Sequence, residues 1–427
     1  MCLKSRVMYE YVIVGGGMAG LHIARLLAKK YPDRSICIVE KYGAFGGRVD
    51  TYVPKDKPAL HYEAGAGRIA DHHKMVGAYV KEFGLTKAYI KPHVTHRHVE
   101  ADGSLTVGEN GFTEIIGQML ADLPAAVKER LHTMTIKEAC SAAYGSAIVE
   151  RVFTEFGYKA ETEVLRADIA FDTFKGFMGE RGNYYVVAEG LSESPRRLAK
   201  DNLEVGVRLV TNVTVRDLSK EEGDCWKVRG VCMEKPWSCM ARRVIFAVTR
   251  NALAAIPMFA GEWMVEGVRM EPLLRVYARF PAPNGKPWFH DVGHTTTNNV
   301  VRYVIPVNPA EGLIMISYTD ASDARYWMAM PKEERQREIM TEIRRLFPEK
   351  KIPEPEHWSF HSWKDGCSYW LPYPVGPLDA RKAQHEVHYP YPASAPNVYI
   401  CGESWSCCQT WIEGAVRNAQ GLFDEHL

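Results

Sequence analysis

Gly15, Gly17 and Gly20 follow the apolar run Tyr11-Val12-Ile13-Val14 in the spacing G-x-G-x-x-G, and Glu40 stands twenty residues beyond the third glycine. That set has the chemistry of a dinucleotide site. The first glycine permits a tight turn, the second lets backbone approach a pyrophosphate, and the third lets the next helix pack closely. A carboxylate at the position of Glu40 suits ribose hydroxyls. Gly46-Gly47-Arg48 adds two close-approach glycines and a guanidinium suited to phosphate. Near the far end, Gly402-Glu403 and Trp411-Ile412-Glu413-Gly414-Ala415 form a second glycine-bearing segment after the apolar run Val398-Tyr399-Ile400.

These groups need elements to hold them. Residues 11–14 read as a buried parallel strand and 18–30 as a helix whose N-terminal amides face the phosphates. Residues 35–39 make the second strand, with Glu40 at its tip. The order strand, turn, helix, strand, acid is far more specific than the glycine spacing alone.

The segments Glu40 with Gly46-Gly47-Arg48, and Gly402-Glu403 with Trp411 to Ala415, resemble the flavin-containing amine oxidase superfamily. That group includes monoamine and L-amino acid oxidases. The resemblance implies an α/β fold, in which a Rossmann-like FAD-binding domain is interleaved with an α+β substrate-binding domain. It implies FAD held without a covalent bond, with a link through Cys367 as the alternative. It places Gly15, Gly17, Gly20, Glu40, Gly47, Arg48, Gly67, Arg68, Val213, Trp363, Gly402, Glu403, Trp411, Ile412 and Ala415 around the cofactor. Val213 would act through its backbone.

The same resemblance points to five residues for the reaction. Arg68, in Gly65-Ala66-Gly67-Arg68, matches the arginine that holds the substrate carboxylate in L-amino acid oxidases; pairing with a structural acid or a phosphate is the other reading. Arg275 falls where the family places a lysine associated with oxygen reactivity, a departure, since guanidinium cannot mimic a compact ammonium. Trp363 matches a tryptophan packed near the flavin ring. Trp370 and Trp411 are candidate aromatic walls.

Length and composition agree with two domains in 427 residues, 46% of them hydrophobic. The expected division is 1–70, 186–250 and 391–427 for the cofactor domain, with 71–185 (mainly helical) and 251–390 (sheet-containing) for the substrate domain. A formal net charge of +1 gives no reason to expect nucleic acid or a charged membrane. No apolar run reaches membrane-span length. Met1 to Arg6 reads as a short lead-in rather than a signal peptide, and no membrane tail is expected after the last helix. Ten cysteines without metal-type pairing fit a reducing compartment, so the cytoplasm is expected, and Cys407-Cys408 reads as idle thiols rather than a redox pair. No metal site is expected. Asp71 reads as the N-cap of a helix over 75–83, with His72 and His73 in a solvated first turn. Residues 358–373 read as aromatic and turn-rich.

The function expected is oxidation of the C–N bond of an amine or L-amino acid to an imine. Oxygen would be the acceptor and hydrogen peroxide a product, with a homodimer as a compatible assembly. A flavin-dependent desaturase or protoporphyrinogen-type oxidase, and a non-catalytic flavin-binding regulatory protein, are the alternatives.

Overall fold

The computed structural model describes residues 8–90, 93–179 and 183–427; the lead-in Met1 to Arg6 lies outside them. Two seven-stranded sheets organise the chain. The first runs Arg208–Val210, Ile36–Val39, Met8–Val14, Lys235–Phe246, Cys225–Cys232, Val213–Glu221, with Val398–Ile400 also paired to Lys235–Phe246. Val12, Ile13, Ile38, Val244 and Ile245 in its centre are fully buried. Each contributes about 1.5–3 kcal/mol relative to exposure. Strands covered on both faces read as continuous apolar runs, which is why 11–14 was legible.

The strand Met8–Val14 pairs in parallel with Ile36–Val39 on one side and Lys235–Phe246 on the other. The helix Met18–Lys30 follows directly, with Gly17 as its N-cap. Every strand of this sheet falls within 1–70, 186–250 or 391–427.

The second sheet runs His357–Trp370, Val268–Arg279, Leu313–Asp320, Tyr303–Asn308, His294–Thr297, Val94–Val99, Leu105–Glu109. Its last two strands come from the mainly helical block 71–185 and add a strand pair to it. Val94–Val99 pairs in parallel with His294–Thr297, a partner far along the chain. Helices still make up much of that block, including Lys74–Glu82, Phe112–Ala121, Ile136–Tyr144 and Ser146–Phe153.

A correction concerns 358–373. Instead of turns, His357–Trp370 is one long strand paired along its length with Val268–Arg279. Aromatic residues favour a pleated, half-buried surface. Gly366 sits where the register shifts, and a Cβ there would lie 2.8 Å from the Leu273 nitrogen. The irregularity in this segment is a bulge within a strand.

A second correction is at Asp71. The N-cap of Lys74–Glu82 is His73, which makes no side-chain cap bond. The cap comes from elsewhere: the Glu413 carboxylate accepts the Met75 and Val76 N–H groups. His73 is buried rather than solvated and packs edge-on to Trp411, ring centroids 4.7 Å apart. Burial, with His72, Arg417 and Arg68 nearby, pushes its pKa down to about 3.

Candidate active site

A single cavity of about 2470 Å³ runs between the two sheets. Drug-sized pockets occupy roughly 300–1,000 Å³, so this volume takes a dinucleotide and a further small molecule. Gly15, Gly17, Glu40, Gly47 and Arg48 line it from the first sheet side, with Val213, Gly402, Glu403, Ile412 and Ala415. Gly67, Arg68, Arg275, Trp363 and Trp411 line the rest.

The glycine turn is built for close approach. Gly15 has a φ of +107°, and a Cβ there would stand 2.3 Å from the Ala247 carbonyl oxygen. Gly20 does not line the cavity but packs on Gly15, whose carbonyl oxygen a Cβ would meet at 2.0 Å. The helix Met18–Lys30 has no side-chain cap and no acid in its first turn. Its first amides therefore present an uncompensated positive end to the cavity. Glu40 accepts the Gly16 and Tyr42 N–H groups at 2.7 and 2.8 Å, which fixes its carboxylate at the strand tip.

Arg48 and Glu403 form an ion pair at 2.8 Å. Arg48 also donates to the Gly366 carbonyl at 3.0 Å. Glu403 is buried and accepts the N–H groups of Ser368 and Thr410 and the Ser368 hydroxyl. These bonds join the glycine turn, the closing segment and the strand His357–Trp370.

Arg68 lies over the Tyr184 and Trp411 rings, its guanidinium carbon 5.0 and 5.7 Å from the centroids. Among the described residues no carboxylate comes within ion-pair distance of it. Pairing with a structural acid is therefore not what the structure shows. Arg275, in contrast, is committed. It donates to the Glu63 carbonyl at 3.0 Å and to the Tyr318 hydroxyl at 3.3 Å. Its Nη1 would stand 2.8 Å from a Cβ on Gly67, so a side chain there would displace the guanidinium. Trp363 donates its indole N–H to the Ala64 carbonyl at 2.8 Å.

Trp370 departs from the expectation of a cavity wall. It is 0% exposed in the core, and its indole N–H bonds the Ser406 carbonyl. Side chains alternate along a strand, so Trp363, Cys367 and Tyr369 share the cavity face and Trp370 points the other way. Tyr369 lines the cavity instead. Cys367 also faces it, and burial, then Glu403, holds its thiol well above the usual range.

Several cavity residues had no sequence signal. Tyr184, Tyr303 and Tyr318 from three separate strands, and Tyr158 from a loop, add aromatic surface. Glu63, bonded to the Thr51 hydroxyl and the Leu191 N–H, is pushed up to about 7, mainly by burial. Glu161 also faces the cavity, and burial, with Asp320 beside it, pushes it up to about 7.

Away from the cavity, His385, His388 and Glu425 bring three ligand-type atoms within 4.8 Å of one another. Hydrogen bonds of 2.9 and 3.0 Å from the two rings to the one carboxylate account for that closeness. Among the described residues Cys407 and Cys408 form no disulfide. Among the described residues no helix is long and apolar enough to cross a membrane.

Comparison with known proteins agrees with this geometry. An L-amino acid oxidase of Cerastes cerastes and L-amino acid oxidase Lm29 of Lachesis muta are each 38% identical over 74 residues. That stretch is 17% of this chain and 14% of each relative. Solved structures of a putrescine oxidase match the fold across 98% of this chain at 18% identity. The wild type bound to putrescine, matched over 99% of its own chain, gives a TM-score of 0.76. A triple mutant, matched over 98% of its chain, gives 0.75. The family model for flavin-containing amine oxidoreductases matches residues 18–421, and the chain belongs to that family.

Proposed function

We propose that this protein is an FAD-dependent oxidase of an L-amino acid, and that Arg68 holds the substrate carboxylate. The observation that carries this reading is a cavity-facing guanidinium with no carboxylate partner among the described residues, set over Tyr184 and Trp411. A guanidinium matches a carboxylate with two parallel hydrogen bonds. The limited match to L-amino acid oxidases supports it.

The residues present fit the cofactor. Gly15, Gly17 and Gly47 leave backbone bare, and the uncapped helix end suits the pyrophosphate. Glu40 would hold ribose hydroxyls, and the Val213 backbone the adenine. Gly67, Trp363, Gly402, Glu403, Trp411, Ile412 and Ala415 would surround the flavin. Arg48, neutralised by Glu403, orders the segment beside Gly366 rather than meeting a phosphate as a free cation. A protonated thiol is a poor nucleophile, which favours non-covalent flavin over a bond to Cys367.

When bound, the flavin supplies the two-electron acceptor that turns an amine into an imine. The chain's own groups do the rest. Arg68 orients the substrate by its carboxylate. Trp411, Tyr184, Tyr303 and Tyr318 exclude water, and so favour the neutral amine that the reaction needs. Water then converts the imine to a 2-oxo acid and ammonia. Oxygen takes the two electrons and two protons and leaves as hydrogen peroxide. The cofactor domain is assigned to 1–70, 186–250 and 391–427, a reading supported by the strands of the first sheet, which fall in those ranges. Cysteines that form no disulfide, such as Cys407 and Cys408, fit a cytoplasmic location.

The test is product analysis with a neutral L-amino acid in air. We expect equal amounts of 2-oxo acid, ammonia and peroxide. A carbon–carbon double bond in the product, with nitrogen retained, would replace this reading with a desaturase.

A further inference from the structure

Glu161 is 8% exposed, and the surface it keeps faces the cavity. Among the described residues its carboxylate has neither a hydrogen-bond donor nor a cation at bonding distance. A buried carboxylate without a partner is costly, and native chains keep such groups rarely. The cation next to it in sequence is diverted: Lys159 Nζ lies 2.7 Å from Asp323. Asp323 in turn takes the Arg302 guanidinium at 2.6 Å.

The position is held, not incidental. Asp320 accepts the N–H groups of Lys159 and Ala160 at 2.8 and 2.9 Å. It thereby caps the short helix Ala160–Glu163 that carries Glu161. Arg68 is the cation nearest in influence, yet the two do not form an ion pair. The cavity thus contains a guanidinium and a carboxylate that face the same space and leave each other unpaired.

A single molecule bearing both signs of charge would pair both. We propose that Glu161 is a specificity residue that binds a distal ammonium, so that the substrate is an L-amino acid with a second amino group on its side chain. This rests on the oxidase reading and on Arg68 as the carboxylate anchor. The reacting α-amine must become neutral, whereas a distal amine stays protonated and needs an acid. Among the described residues, Glu161 is a buried carboxylate on the cavity wall without a partner, whereas Asp50 and Lys364, which also line the cavity without one, are exposed. The groups that face it are Arg68, Asp320, Tyr184, Tyr303, Tyr369 and Cys367, and Arg68 is the only cation among them.

The test compares L-lysine and L-ornithine with L-norleucine, which matches ornithine in length but lacks the distal amine, on the flavin-loaded enzyme. We expect kcat/KM for the better diamino acid to exceed that for norleucine roughly tenfold to hundredfold, as a charge-assisted bond would give. In Glu161→Gln that ratio should collapse toward one. A second measurement needs no variant. Burial already lifts the Glu161 pKa to about 7, so the wild-type preference should weaken as pH falls below the value at which the acid gains its proton. Equal use of norleucine and the diamino acids by wild type would overturn the assignment while leaving the oxidase reading intact. A Glu161→Gln loss shared equally by both substrates would do the same, by placing the acid at the α-amine. Turnover of none of the three would overturn both.

Discussion

Arg48 Nη1 lies 2.8 Å from Glu403 Oε2, so two segments from opposite ends of the chain meet in one ion pair at the cavity wall. The pair is surrounded by bonds that pin Gly366, Ser368 and Thr410. Its stability role follows from burial: Glu403 has little contact with water, so removing it leaves Arg48 facing low-dielectric surroundings.

Glu403→Ala should therefore cost about 1–3 kcal/mol and release flavin. The flavin-to-protein absorbance ratio after gel filtration checks this. Glu403→Gln keeps the two N–H bonds and should retain more flavin than the alanine variant. Full retention by Glu403→Ala would show that the pair does not order the cradle.

Arg68→Met should weaken an amino acid far more than its decarboxylated amine. The lost charge-assisted bond is worth about 1.5–3 kcal/mol, roughly a tenfold to hundredfold loss in kcat/KM for the acid alone. Equal losses for acid and amine would reject the carboxylate role.

The cofactor cradle depends on backbone features that the sequence shows directly. Gly15, Gly17, Gly20 and Glu40 are legible because a tight turn and a close approach demand residue types, not partners. Trp370 is misplaced because 358–373 does not read locally as a strand. Once it is one, Cys367 and Tyr369 fall on the cavity side and Trp370 behind the sheet. Val94–Val99 was hidden for another reason: its parallel partner His294–Thr297 lies far along the chain, and no local pattern announces such a pairing. Glu161, Tyr303 and Tyr318 come from separate elements, and only the tertiary arrangement brings them to one wall. The cap of Lys74–Glu82 by Glu413 is equally remote, since local reading looks for a cap only beside the helix.

Arg275→Lys should speed reoxidation of the reduced flavin by oxygen. The guanidinium is tied to the Glu63 carbonyl and Tyr318, whereas a lysine would present a compact, mobile ammonium to the cavity. Stopped-flow mixing of reduced enzyme with oxygen should show a several-fold faster rate. An unchanged or slower rate would remove Arg275 from any account of oxygen reactivity.

Burial raises Glu161 from its ordinary value of 4.5 to about 7 in the folded protein. A raised pKa favours the folded state while the acid is protonated, and that contribution is lost as pH rises through about 7. Between pH 5 and 8 the substrate-free wild type should therefore lose stability relative to Glu161→Gln. The difference should be on the order of 1–3 kcal/mol. Denaturant melts at both pH values measure it. Parallel behaviour of the two proteins would mean that the carboxylate is solvated rather than buried.

Reduction of the bound flavin without oxygen tests the central claim most directly, because it isolates C–N oxidation from the acceptor. The band near the visible maximum would be followed after mixing with L-lysine or its decarboxylated counterpart cadaverine, and with L-norleucine or pentylamine. We expect each amino acid to bleach the flavin faster than its paired amine, with L-lysine fastest. A flavin that dithionite reduces but none of the four bleaches would contradict the account.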